Sequence, residues 1–273
     1  MDYLLSIMAG VIQGLTEFLP ISSSGHLILF HDIFDFHLPD ELLFDVTLHL
    51  GTLIAVVLFF YRDIEKIVRG FLSSLVNWNL KNNYNQRIAW LVIIGTLPAA
   101  LAGYLFEDFI TNSLRSPLVV GIMFIVVGFL FFIFEKYSKS QKDLQMASPK
   151  DSLIIGLAQI LALIPGVSRS GITIIAGMGR KMKREEAAKF SFLISAPIIF
   201  GAAMKKILEI KSFDQTNFII LLLGVLSSAI TGYLVIKYLI KYLSNHSLNI
   251  FAWYRLIIGC LTLIWFFLFT FGV

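Results

Sequence analysis

The chain has 273 residues, of which 57% are hydrophobic and only 15% are charged, with a formal net charge of +4. Soluble domains carry about 25% charged residues, so this composition excludes a soluble globular protein and a disordered one. A single cysteine, Cys260, excludes a disulfide framework and a cysteine-rich metal site. The first residues, Met1 to Tyr3, contain no basic group, so we expect no cleaved secretory signal. The composition predicts a polytopic membrane protein.

Apolar stretches of two kinds follow one another along the chain. Six are predicted to cross the bilayer, for which a helix needs about 20 residues. Two more are short and broken: residues 3–34 are interrupted at Pro20, and residues 151–179 at Pro165. Irregular backbone at membrane depth needs surrounding protein or a water-filled cavity. We therefore expect two re-entrant helix–loop–helix hairpins, with a kinked span as the alternative for each. The predicted spans are 46–61, 86–106, 117–135, 187–204, 217–240 and 250–272.

The two halves of the chain resemble each other at fixed offsets. A shift of 146 residues places Gly10 on Gly156, and a shift of 129 residues superposes a Gly-Tyr-Leu triplet of the later spans. Each half would hold one hairpin and three spans. Because three crossings are an odd number, the second copy is inverted relative to the first. We predict an all-α membrane domain of two inverted-topology repeats, residues 1–140 and 150–273, joined by a charged linker.

Basic residues are distributed unevenly between the two sides of the membrane. One side holds 16 Lys and Arg residues and the other holds 4. Cytoplasmic loops are rich in these residues, so the first side is predicted to be cytoplasmic. Both termini and the first hairpin then face outward, and the second hairpin enters from the cytoplasm. The basic charge reflects this topology, and we expect no nucleic-acid partner. The cytoplasmic segments are 62–87, 136–150, 180–189 and 237–249.

The first hairpin carries the segment QGLTEFLPISSSGH, from Gln13 to His26. Gln13 and Glu17 are four residues apart and share one face of a helix. A serine-rich turn and the histidine follow directly. Ionisable groups at membrane depth are costly and usually functional. Glu17 can hold a divalent cation or transfer a proton, and His26 can act as a nucleophile or a base near neutral pH.

The second hairpin carries the segment PGVSRSGIT, from Pro165 to Thr173. A glycine-flanked turn that opens a helix directs backbone N–H groups at an anion, and Arg169 adds a planar guanidinium that matches two phosphate oxygens. If the two hairpin tips meet, they form one pocket for a phosphorylated ligand. Because the pocket lies in lipid, a substrate with a diphosphate head and a hydrocarbon tail fits best.

The two motifs resemble the signatures of the undecaprenyl-diphosphate phosphatase family, the bacitracin-resistance type, and the resemblance extends over essentially the whole chain. It implies hydrolysis of the C55 diphosphate to the monophosphate lipid carrier used in peptidoglycan synthesis. It also implies a plasma (inner) membrane location in a bacterium, a site that opens to the outer side, and a divalent cation, Mg²⁺ or Ca²⁺. The expected partners are the isoprenyl diphosphate and membrane lipids, and a homodimer stays open.

Site residues follow from the motifs and the resemblance together. The expected catalytic residues are Glu17, Ser23, His26 and Arg169. The expected phosphate-binding residues are Ser22, Ser24, Gly166, Ser168, Ser170, Gly171 and Thr173. Glu17 and Gln13 are the expected metal ligands. The family pattern allows Glu or Gln at the first of these positions, and the neutral Gln13 leaves the ionic role to Glu17 alone. The nucleophile stays open among His26, a serine and water.

Two other activities compete with hydrolysis of a lipid diphosphate. A transporter or flippase for polyprenyl phosphates would use inverted repeats and broken helices in the same way. Glu17 together with His26 favours chemistry, because anion binding alone needs no carboxylate. A lipid phosphatase of the acid-phosphatase superfamily is excluded, because its second element needs a histidine where this chain has Ile175.

Three polar residues outside the motifs receive structural interpretations. Asp45 and His49 are spaced i, i+4 at the outer end of a span, and we interpret them as a partly solvated pair at the interface. Arg255 begins the last span, and we expect its long side chain to reach the cytoplasmic interface.

Overall fold

The computed structural model describes residues 2–36, 41–138, 141–209 and 215–271, and within these ranges the secondary structure is helical, without strands. The helices are α1 (Asp2–Phe18), α2 (Ser23–Phe34), α3 (Glu41–Phe59), α4 (Tyr61–Val76), α5 (Tyr84–Leu105), α6 (Glu107–Phe109), α7 (Pro117–Tyr137), α8 (Pro149–Ile160), α9 (Arg169–Gly179), α10 (Arg184–Glu209), α11 (Gln215–Leu243) and α12 (Asn249–Phe271). Short 3₁₀ turns precede α8 at Leu144–Met146 and follow it at Leu161–Leu163. The predicted all-α class is confirmed.

Five of the six predicted spans are confirmed as helices long and apolar enough to cross a membrane: α5, α7, α10, α11 and α12. The predicted span 46–61 differs. Its helix α3 ends at Phe59 and α4 begins at Tyr61 with a bend of 84°, and only the bent pair qualifies. Position 272 of the last span and positions 139–140 of the linker lie outside the described residues. The protein is a multi-pass membrane protein.

Helix α4 lies in a segment that the sequence predicts to be part of a cytoplasmic loop. Glu65 and Arg69 form an i, i+4 ion pair at 2.5 Å on its polar face, a spacing that supports a helix. Val68, Leu72 and Leu75 are exposed apolar side chains. Apolar side chains beside charged ones on one short helix are typical of a helix that lies in the membrane interface.

Two helix–break–helix units occupy the positions of the predicted hairpins. Helices α1 and α2 flank residues 19–22, and helices α8 and α9 flank residues 161–168. Within the described residues, neither pair is among the helices or bent pairs that are long and apolar enough to span a bilayer. Whether each unit enters the bilayer as a re-entrant hairpin stays a prediction. The α1–α2 unit and the α8–α9 unit are called the first and the second hairpin below.

Each hairpin packs against a long helix from the other half of the chain, α1 along α11 and α8 along α5. A Cβ atom on Gly10 would lie 2.4 Å from the carbonyl oxygen of Gly224, and one on Gly156 would lie 2.6 Å from that of Gly95. The two contacts are related by the offsets of 146 and 129 residues seen in the sequence. Glycines at these crossings let the helix backbones approach closely, as in other membrane helix pairs.

A serine hydroxyl reinforces each of these crossings. Ser6 Oγ donates to the carbonyl of Ile220, and Ser152 Oγ donates to the carbonyl of Leu91, both at 2.5 Å. The same two offsets relate these bonds. Each hairpin is therefore fixed to a helix of the opposite half, and the described helices form one packed unit.

Substitution of Gly156 by alanine should destabilise the protein, because its Cβ would press on the backbone of α5. We expect the free energy of unfolding in detergent to fall by about 1–3 kcal/mol, as for other overpacked sites. Gly201→Ala is the matched control, since a Cβ there meets nothing within 4 Å and alanine favours the helix. Equal stabilities of the two variants would contradict the proposed close crossing.

Candidate active site

The two helix breaks have the same unusual backbone. Ser22 caps α2 with φ 77° and ψ 101°, and Ser168 caps α9 with φ 73° and ψ 110°. Positive φ is uncommon for residues other than glycine and is found at functional sites. Each serine hydroxyl accepts a hydrogen bond from the N–H three residues later, Gly25 at 3.4 Å and Gly171 at 3.1 Å. The capping bonds hold both helix N-termini in the conformation that points N–H groups into the break.

Glu17 lies at the centre of the site, at the end of α1, and its carboxylate is surrounded by donors. Arg169 donates from Nη2 to Oε1, and Ser23 donates from Oγ to Oε2 at 2.6 Å. Gln13 Nε2 donates to the same Oε2 at 3.0 Å. The side chains of Glu17 and Arg169 are 5% and 14% exposed. The structure thus brings a carboxylate beside one break and a guanidinium beside the other into direct contact.

His49 also contacts Glu17, although its position in the sequence predicts a place at the membrane interface. Its Nε2 lies 3.4 Å from Glu17 Oε2, and its Nδ1 lies 2.8 Å from the carbonyl oxygen of Asp45. A carbonyl only accepts, so Nδ1 carries a proton and Nε2 is the atom that faces Glu17. The Asp45 carboxylate is directed elsewhere, to His31 and Arg115. The two side chains therefore do not form the partly solvated pair that their spacing suggested.

A cavity of about 220 Å³ opens beside the ion pair. Hairpin residues and the side chains of α3, α5 and α10 form its wall. The polar part of the wall consists of Thr16, Glu17, Ser22, Ser23, Ser24, His49, Gln159, Ser168 and Arg169. The rest is apolar. A negatively charged group in this cavity would contact hydroxyls and the guanidinium together.

His26 does not line this cavity. Its Nδ1 lies 2.7 Å from the carbonyl oxygen of Ser22, and its Nε2 lies 2.8 Å from the hydroxyl of Tyr254. The ring also stacks on Tyr254 at 5.8 Å between centroids. Both residues line a second, apolar cavity of about 880 Å³ between α1, α2 and α12, which shares Thr16 with the first. The imidazole therefore stabilises the backbone of the first break from the side of the second cavity.

Four further predicted residues lie next to the cavity without lining it. Thr173 donates to the carbonyl of Arg169 at 2.7 Å and shares a hydrogen bond with the Ser191 hydroxyl, also at 2.7 Å. Arg169 Nη1 donates to the carbonyl of Ser191 at 3.3 Å. Ser170 Oγ donates across the breaks to the carbonyl of Leu19 at 3.2 Å. These contacts fix the first turn of α9. The four residues are Gly166, Ser170, Gly171 and Thr173.

Arg255 contradicts its interpretation from the sequence. The side chain is buried, with 0% exposure, and does not reach an interface. Its guanidinium donates to carbonyl oxygens of Pro20, Met123 and Gly166. A residue at the start of a span usually extends toward water, but here α12 turns it into the protein, where backbone carbonyls take the place of water.

The residues at Glu17 do not fit a resident divalent cation. Among the described residues, no group of three or more His, Cys, Asp and Glu side chains could share a metal ion. Both oxygens of Glu17 already accept hydrogen bonds. Gln13 directs its NH₂ group at the carboxylate, because an amide oxygen there would be repelled, and its Oε1 is buried without a partner. A calcium site needs six to eight oxygen ligands, waters included, and the side chains at Glu17 do not supply this set by themselves.

Comparison with known proteins identifies relatives along almost the entire chain. The family model "Bacitracin resistance protein BacA" matches residues 6–261. A protein of Desulforudis audaxviator named undecaprenyl-diphosphatase is 42% identical over 93% of this chain and 94% of its own length. A protein of Rubrobacter xylanophilus with the same name is 43% identical over 96% of this chain and 97% of its own length. A third, from Methanosphaera stadtmanae, is 41% identical over 97% of this chain and 98% of its own length.

Removal of Arg169 should leave the Glu17 carboxylate buried without its cation. We expect Arg169→Met to lower the free energy of unfolding by about 3–5 kcal/mol, and the double variant with Glu17→Gln to recover most of this loss. Unfolding in detergent micelles measures both. Lys183→Met is the control, because its ion pair with Asp143 is exposed and contributes at most about 1 kcal/mol. Additive effects of the two site substitutions would contradict direct pairing.

Proposed function

This chain belongs to the BacA family of bacitracin resistance proteins, and on this basis we propose that it is a membrane phosphatase that hydrolyses undecaprenyl diphosphate to undecaprenyl phosphate and inorganic phosphate. The curated relatives are named for this activity. The supporting observation in this chain is the contact between Glu17 and Arg169, which joins two helix breaks at a cavity. A transporter without hydrolysis is not favoured. The reaction returns the lipid carrier to peptidoglycan synthesis.

Arg169 is proposed to bind the diphosphate. A guanidinium has five N–H donors, and two of those of Arg169 bind Glu17 and Ser191. Three donors are left for phosphate oxygens in the cavity. Hydroxyls of Ser22, Ser24 and Ser168 line the same wall. This set neutralises and orients the terminal phosphoryl group, which is the main catalytic contribution in phosphoryl transfer.

Ser23 is proposed as the nucleophile and Glu17 as its base. Ser23 Oγ already donates to Glu17 Oε2 at 2.6 Å and lines the cavity. When Oγ bonds to the terminal phosphorus, its proton passes to Glu17 and the bond from phosphorus to the bridging oxygen breaks. Undecaprenyl phosphate leaves, and water then hydrolyses the phosphoserine. His26 takes a positioning role, since its ring binds the carbonyl of Ser22 and faces the other cavity.

His49 is proposed to carry the proton that Glu17 accepts. Its Nε2 is 3.4 Å from the carboxylate, and its Nδ1 proton is held by a carbonyl. Transfer to His49 restores the Glu17 carboxylate, which then activates the water of the second step. Gln13 has no titratable group for this task. The histidine therefore supplies the second acid–base group that the first motif of this chain lacks.

The divalent cation is proposed to enter with the substrate. The donor set around Glu17 does not fit a resident ion, whereas a diphosphate offers several adjacent oxygens to Mg²⁺ or Ca²⁺. Metal dependence would then be a property of the lipid complex that the cavity receives. Glu17 and Gln13 would remain hydrogen-bonded to each other.

We propose that the chain consists of two inverted-topology repeats and that the site lies where they meet. Both termini and the cavity are proposed to face outward from the plasma membrane of a bacterium. The paired contacts at Gly10 and Gly156, and at Ser6 and Ser152, support a common ancestor for the two halves. Basic residues concentrated on one side support the orientation. Impermeant thiol labelling of a cysteine at Lys66 in intact cells tests it, in a Cys260→Ser background. Labelling from outside would contradict this orientation.

Purified protein should release inorganic phosphate from undecaprenyl diphosphate, and the proposed catalytic groups should be needed for it. We expect Ser23→Ala, Glu17→Gln and Arg169→Lys each to lower kcat by about 100-fold or more. The first two variants remove proton transfer, and the third keeps the charge but loses the planar set of N–H donors that matches phosphate oxygens. We expect His49→Gln to lower kcat by about 100-fold with KM little changed. Phosphate release by purified, folded variants measures these effects.

The controls are an exposed serine, glutamate and arginine that do not line the cavity: Ser244→Ala, Glu65→Gln and Arg62→Lys should keep wild-type rates. Substrate labelled in its terminal phosphate should leave label on wild-type protein after a rapid quench, and none on Ser23→Ala. Full turnover by Ser23→Ala would exclude the serine nucleophile. Movement of lipid across vesicles by a wild-type protein that releases no phosphate would favour the transporter.

Chelation should stop phosphate release, and either Mg²⁺ or Ca²⁺ should restore it. If the cation enters with the substrate, equilibrium dialysis of radioactive Ca²⁺ against protein alone should show no stoichiometric binding, and binding should appear once the lipid diphosphate is added. Tight binding of one ion to the protein without lipid, lost in Glu17→Gln, would overturn this proposal and restore Glu17 as a metal ligand.

A further inference from the structure

Arg255 on α12 carries a charge into the interior of the protein. It is 0% exposed, and among the described residues no carboxylate lies within ion-pair distance of it. Two aromatic rings approach its guanidinium, with Cζ 5.2 Å from the centroid of Phe124 and 5.6 Å from that of Phe131. A buried cation without an anionic partner is costly, particularly at membrane depth. This cost calls for strong compensation or a specific task.

The compensation comes from backbone carbonyls at both helix breaks. Arg255 Nη1 donates to Pro20 at 3.3 Å, and Nη2 donates to Gly166 at 2.6 Å. Pro20 lies in the first break and Gly166 in the second, and they are 146 residues apart, the offset that relates the two hairpins. Nη2 also donates to Met123 of α7 at 3.1 Å. One guanidinium therefore joins equivalent positions of the two breaks and attaches both to α7.

The breaks need such a donor. A helix that ends inside the membrane leaves carbonyl groups unpaired, and no water is available to satisfy them. Gly166 adopts φ +92°, and a Cβ on it would lie 2.8 Å from the carbonyl oxygen of Val120. Only glycine permits this approach to α7. The planar guanidinium then fixes the separation of the two acceptors, which a flexible ammonium cannot do.

The two break residues whose carbonyls bind Arg255 lie close in sequence to the two residues of the ion pair. Glu17 precedes Pro20 by three residues, and Arg169 follows Gly166 by three residues. We propose that Arg255 is a positioning residue that sets the spacing between the two breaks, and through it the placement of Glu17 against Arg169. This role rests on the proposed phosphatase activity. Arg255 touches only the backbone of the breaks and acts on the reaction through them.

The first test compares Arg255→Met and Arg255→Lys in phosphate release from undecaprenyl diphosphate. We expect kcat of the methionine variant to fall by about 100-fold with KM unchanged, because a displacement of about 1 Å between reacting groups costs this much. Lysine can reach a carbonyl without fixing two, so its kcat should be intermediate. Arg62→Met, which removes an exposed guanidinium, should keep the wild-type rate. A wild-type kcat in folded Arg255→Met would overturn the proposal.

The second test needs no activity. Spin labels on cysteines that replace Leu15 and Leu161, two exposed residues near the ends of α1 and α8, report the distance between the hairpins in a Cys260→Ser background. We expect a narrow distance distribution in the parent and in Arg62→Met, and a broader one in Arg255→Met or, where that variant does not fold, in Arg255→Lys. An unchanged distance distribution would overturn the proposal that Arg255 sets the spacing between the two breaks. Absence of phosphate release by wild type would instead overturn the proposed function.

Discussion

The site depends on one ion pair between a carboxylate and a guanidinium that lie 152 positions apart in the chain, inside a protein surrounded by hydrocarbon. Each charge would be costly there without a partner, because the cost of removing an ion from water is repaid only by close pairing or by hydrogen bonds that satisfy the charged group. Ser23 and Gln13 donate to Glu17, and Ser191 accepts from Arg169. The pair thus holds the two breaks together and supplies the polarity of the cavity.

Helix breaks make this arrangement possible. An unbroken transmembrane helix uses its own N–H and C=O groups internally and offers only side chains to a ligand. A break frees N–H groups at the start of the following helix, where Ser22 and Ser168 cap it in the same positive-φ conformation. The two hairpins come together because each crosses a long helix of the opposite half at a glycine contact, Gly10 on one side and Gly156 on the other.

Two arginines meet the problem of a buried cation in different ways. Arg169 pairs with a carboxylate, keeps donors for a ligand, and lines the cavity. Arg255 binds carbonyls and aromatic faces and has no access to the cavity. A ligand anion can therefore compete for the first guanidinium while the second stays committed to the backbone. One arginine is thus available to a ligand, while the other stabilises the backbone of the two breaks.

The sequence by itself determined the class of the protein, five spans, the two breaks, and Glu17 and Arg169 as separate candidate residues, because hydropathy, Pro20 and the serine-rich turns act locally on the chain. The contact between Glu17 and Arg169 depended on whether the two breaks meet. Only the tertiary structure decided the rest. The amphipathic pattern of α4 could have predicted a helix, but not its 84° bend from α3. The rotation of α3 turns His49 into the site, and that of α12 places Tyr254 on His26 and buries Arg255. The periodicity of a helix indicates which of its faces is apolar, but it does not determine which neighbour that face contacts. Close packing between distant segments sets that choice.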